Sequence, residues 1–72
     1  MNKLRDQLRA KINETLDLCD ANELPTVCRI AKSAKGREEL VNRIEVFVVS
    51  DGHSIEDAIS QIEQLYNSNL TD

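Results

Sequence analysis

The chain is predicted to be all-α, a compact bundle of three to four short helices, and three observations predict it. Apolar residues recur at helical spacing in four separate segments. Breakers and caps stand between them: Asn22 before Pro25, then Gly36, then Asp51-Gly52 before Ser54. The balance of 40% hydrophobic and 31% charged residues is that of a globular domain and far from disorder. Seventy-two residues leave room for one domain, so residues 1–72 are read as a single unit. Helices are expected at about 2–20, 25–35, 37–49 and 54–66, with a frayed polar tail at 67–72.

In the first segment Leu4, Leu8, Ile12, Leu16 and Cys19 recur at steps of four and three. Arg5, Arg9, Lys11, Glu14 and Asp17 form the opposite, solvated face. Its bases precede its acids, the reverse of what a helix dipole prefers. The segment is expected to stop near Asp20-Ala21-Asn22, where Asn can take a left-handed closing position. Leu24 should then be extended, and Pro25 suits the first turn of a new helix. Val27, Ile30, Ala31 and Ala34 stripe that second helix, and Gly36 is expected to end it.

The third segment carries Leu40, Val41, Ile44, Phe47 and Val48, a wide apolar face. Val46-Phe47-Val48-Val49 also suits a strand, because it is β-branched and aromatic and runs into a turn. Helical periodicity over the whole segment favours helix for 44–49. The fourth helix opens on Ser54 as N-cap, with Glu56 and Asp57 in the acid-favouring first turn. Ile55, Ala58, Ile59, Ile62, Leu65 and Tyr66 stripe it.

Charge is unevenly spread. All nine bases lie in residues 1–43, which hold seven acids; residues 44–72 hold six acids and no base. The two parts are therefore net +2 and −6 in a chain of −4. Such asymmetry speaks about partners rather than fold.

Catalysis has little to work with, and no enzyme activity is expected. The single His, His53, lies in the turn before Ser54, with no neighbouring group in sequence to orient it as a base. Cys19 and Cys28 show no metal-finger spacing. They are read as buried thiols packing as small hydrophobes, with a disulfide and a zinc site as lesser readings. Gly36 and Gly52 stand alone, so there is no phosphate loop. No cofactor or metal is expected. The charged opening Met1-Asn2-Lys3-Leu4-Arg5-Asp6 leads into no continuous apolar run, so neither a secretory signal nor a membrane partner is expected. A reducing cytoplasm is the expected compartment.

Residues 27–44 resemble the bacterial helix-turn-helix pattern: Ala31 on the first helix, a turn glycine, then Val41 and Ile44 packing back. Gly36 stands one residue later than that pattern wants. The resemblance implies nucleic-acid contacts from Arg29, Lys32, Lys35, Arg37, Asn42 and Arg43 within a segment, 29–43, of net +3. Glu38-Glu39 at the start of the second helix and a pI near 4.9 oppose it.

The favoured expectation is a small non-enzymatic regulatory protein that binds another protein. A chain this size buries only about 60% of the surface its unfolded form exposes. Its core is aliphatic, with one Phe, one Tyr and no Trp. Four apolar stripes exceed what such a core hides, so a homodimer is expected. Its face would be Leu40, Ile44, Phe47, Val48, Ile59, Ile62 and Tyr66. A small helix-turn-helix DNA binder using residues 29–43 is the alternative.

Overall fold

Four helices account for the architecture in the computed structural model, which describes residues 3–70, with side chains as far as Ser68. They are α1 (Lys3–Asp17), α2 (Pro25–Lys32), α3 (Ala34–Ser50) and α4 (Ile55–Leu70), with no strand among the described residues. The segment 44–49 is therefore helical. Helix α3 packs against each of the other three, and α2 also packs on α4. The first helix meets the rest chiefly through α3.

Helix α1 stops two to three residues earlier than its apolar spacing suggests, and Asn2 lies outside the described residues. Its last turn closes by tightened bonds, Leu18 N to Thr15 O at 3.2 Å and Cys19 N to Leu16 O at 3.1 Å. Asn22 does not take the left-handed position, since the only positive φ among the described residues belongs to Gly52, at 74°. Instead the Asp20 carboxylate accepts from Asn22 N at 2.8 Å, and Asp20 O accepts from Glu23 N and Leu24 N. Asp side chains fold turns this way at no backbone strain.

Pro25 opens α2 as expected. The end of α2 differs from expectation. It stops at Lys32, and Ser33 is extended (φ −81°, ψ 131°). The same Ser33 caps α3, its hydroxyl accepting from Gly36 N at 3.4 Å. Gly36 is thus not the breaker but a residue of α3's first turn. A Cβ there would stand 2.7 Å from Ile30 O and 3.0 Å from Ile30 Cγ2. The glycine lets one helix start against the end of another. Gly36→Ala should destabilise the fold by about 1–3 kcal/mol, although alanine is the better helix former. An unchanged or raised urea midpoint would show that the corner yields without cost.

Ser54 caps α4 by accepting from Asp57 N at 3.2 Å. Residues 67–70, read from sequence as tail, continue α4. Thr26 donates to Asn67 Oδ1 at 3.0 Å, tying the start of α2 to this last stretch. Residues 71 and 72 lie outside the described residues.

The core is Ile12 and Leu16 from α1, Val27 and Ala31 from α2, Leu40, Val41 and Ile44 from α3, and Ala58, Ile59 and Ile62 from α4. No polar or charged side chain is fully buried among the described residues. Aliphatic burial therefore carries the fold.

Candidate interaction surface

Residues 46–49 of α3 are apolar in succession, and a helix turns about 100° per residue, so they sweep most of its circumference. They cannot all face one core. Leu40, Val41 and Ile44 take the interior, with Phe47 and Val48 half-buried beside them. Val46 and Val49 point outward, 57% and 67% exposed. Leu4 of α1, at 77%, flanks one side and Leu65 of α4, at 50%, the other.

A run of shallow hollows joins them. Leu4, Leu8 and Val49 line one with Arg5 and Glu45. Val46, Val49 and Asn42 line the next, and Glu39, Asn42, Arg43, Val46 and Phe47 a third of about 440 Å³. Arg43 then leads to Leu65 and Tyr66. Because neighbouring hollows share residues, this is one surface across α1, α3 and α4.

Glu45 organises its polar part. Arg5 Nε donates to Oε1 at 2.7 Å and Arg9 Nη1 to Oε2 at 2.6 Å, and Arg9 Nη1 also lies 2.7 Å from Asn42 Oδ1. Two of the bases placed early in α1 against its dipole thus bridge α1 to α3; Arg9 is half-buried there, which corrects its solvated-face reading, while Arg5 stays exposed as expected. The hydrogen bond from Arg9, chiefly, holds the Glu45 carboxyl below the usual carboxylate range; the Arg5 bond and both positive charges add to it, and partial burial opposes it.

A carboxyl with a depressed folded pKa contributes stability that is present above its unfolded pKa and lost as pH falls through the folded one. Wild type should therefore lose more stability than Glu45→Gln on acidification below about pH 4.5. Equal losses in urea titrations of the two proteins would remove Glu45 from the acid response.

The face expected from sequence lies here only in part, since Phe47 and Tyr66 line its hollows. Leu40, Ile44 and Ile62 are fully buried and Ile59 is 3% exposed. Phe47, Val48 and Tyr66 are half-buried against that core. Leu40, Ile44, Ile59 and Ile62 thus fill one chain's interior and are not free to face a partner. Leu4 and Leu65, read as inward, are the exposed ones.

The six candidate nucleic-acid contacts divide. Arg29, Lys32 and Lys35 are exposed. Arg37 turns to α1, donating to Asn13 Oδ1 at 3.0 Å, to Asn13 O at 2.8 Å and to Asp17 Oδ1 at 2.5 Å. Asn42 receives Arg9, and Arg43 pairs with Glu39 at 3.5 Å. A single residue, Ser33, separates α2 from α3, where the helix-turn-helix has a turn of three to four.

His53 is half-buried at the end of α3. Its Nε2 lies 2.8 Å from Gln61 Nε2, and its ring centroid is 6.0 Å from that of Phe47. It packs the corner before α4. Cys19 and Cys28 form a disulfide, which corrects the reading of two free packing thiols. Proximity of the loop after α1 to α2 makes the bond, and nothing in the nine-residue spacing announces it. Among the described residues no group of three or more His, Cys, Asp or Glu could hold a metal ion, and no helix is long and apolar enough to cross a membrane.

The sequence does contain a signal for the outward face: the succession Val46 to Val49, once taken as helix, must leave part of itself outside. The clamp around Glu45 has none, since its partners lie 36 and 40 residues away. No protein-family model, curated protein or solved structure matches the chain.

Proposed function

We propose that the chain is a non-enzymatic protein-binding module whose contact is the outward face of α3. The observation that carries this reading is the exposure of Val46 and Val49 on a helix whose inward face already fills the core. Apolar side chains gathered on one face and rimmed by charge are the composition of protein contacts. The nucleic-acid alternative keeps Arg29, Lys32 and Lys35, but Arg37 and Asn42 of its base-reading residues are engaged within the chain.

Val46→Asp separates the two. A protein partner retained by wild type after nuclease treatment and lost by Val46→Asp, with the far-UV circular dichroism unchanged, supports the reading. Capture that nuclease abolishes, that survives Val46→Asp and that fails on Lys32→Ala with Lys35→Ala installs the alternative. Leu18→Asp is the control, since Leu18 is 79% exposed yet lies off this surface.

A further inference from the structure

We propose that the occupant of the outward face of α3 is a second copy of this chain, the two α3 helices lying antiparallel about a two-fold axis at Val46. The proposal rests on the reading that this face is a protein contact, and it names the partner.

Charge is the first argument. A two-fold contact brings a patch onto itself, so the patch must be complementary to itself. The charged residues of this surface are Arg5, Arg9, Arg43, Glu39 and Glu45, so it carries both signs close to balance. The chain as a whole carries −4, so the excess negative charge lies elsewhere. A near-balanced patch lets two copies of an acidic chain meet without setting its excess negative charge against itself.

Direction is the second. A parallel two-fold pair would set Glu39 on Glu39 and Arg43 on Arg43. The antiparallel pair centred on Val46 sets each Arg43 opposite Val49 of the other copy, within reach of the far end of that α3. This end needs a base. The last turn of α3 has none of its own, and it runs into Asp51. Cations are favoured at a helix C-terminus, where unpaired carbonyls gather negative charge. Arg43 is available for it: its side chain is 53% exposed, and its present partner Glu39 stands 3.5 Å away.

The axis is the third. The residue on a two-fold axis meets its own copy, which excludes a charge there. Val46 is neutral, exposed and central on the surface, with Leu4 and Leu65 to either side.

Sedimentation equilibrium of the full chain at about 100 micromolar tests the pairing, a concentration at which contacts of modest affinity are populated. The expected mass is twice 8.1 kDa, falling to the single mass in Val46→Asp while circular dichroism is unchanged. Val46→Cys should cross-link two copies on mild oxidation. Glu39→Cys should not, because antiparallel packing holds the two positions about 20 Å apart along the helices. Arg43→Glu should weaken the dimer by about tenfold, and adding Asp51→Arg should restore it.

A wild-type monomer at this concentration overturns the second copy, while the loss of a captured protein in Val46→Asp would still uphold the binding face. A dimer that survives Val46→Asp places the contact elsewhere and overturns the proposal. Cross-linking through Glu39→Cys, or no rescue by Asp51→Arg, overturns the antiparallel arrangement.

Discussion

Ile44→Ala is expected to lower the unfolding free energy by about 3 kcal/mol, the middle of the range for emptying a fully buried aliphatic site. Ile44 has no exposed surface and lies in the cluster contributed by all four helices. A domain of this size has little to spare: total stability is of the order of 5 kcal/mol. The thermal midpoint should fall by roughly 15 °C. The loss should be the same in a Val46→Asp background, because the cavity opens inside one chain and not between two. A loss below about 1 kcal/mol, or one that vanishes in that background, would return Ile44 to the contact surface and undo the separation of inner and outer faces.

The second large effect is expected from the disulfide. Opening Cys19–Cys28 should cost about 2–3 kcal/mol, from the loop-closure entropy that the bond removes from the unfolded chain. The bond joins the loop after α1 to α2, two elements that share little packing otherwise. Amide exchange should therefore quicken first in residues 18–24, before the α3 interior responds. Thermal unfolding with and without a dithiol reductant, and in Cys19→Ser with Cys28→Ser, measures the first effect. Equal midpoints would show that packing alone holds the loop. A bond of this kind persists where the surroundings are oxidising, so the compartment decides how much of this stability the protein has.

What could be read from the residues follows the range of the interactions involved. Pro25 at the start of α2 and Ser54 before α4 act within a turn of themselves, and both stand where the sequence puts them. The inner positions of α3 and α4 follow from periodicity alone. The expectation fails where a residue answers to something distant in the chain. Gly36 looks like a breaker, yet it is set by the approach of Ile30 across the corner. Leu4 obeys the spacing of its stripe but sits beyond the reach of the core. Arg9, Asn42 and Glu45 look like ordinary surface polarity until α1 is laid on α3. Leu40, Ile44, Ile59 and Ile62, expected on a partner face, are interior for a related reason: sequence counts apolar stripes, and only the packed helices show which of them the interior consumes.

Ser33 has a consequence for how such a chain can change length. It ends one helix and caps the next, so the corner contains no slack. A residue inserted there must be wound into α3 or spoil its cap. Wound in, it would turn the preceding stretch by about 100° relative to the rest and carry Gly36 away from Ile30. Between Asp20 and Leu24 and between Asp51 and His53 no single residue both ends one helix and caps the next, and insertions and deletions belong there. Relatives of this chain should vary in length at those two places and keep the distance from Pro25 to Ser50 constant.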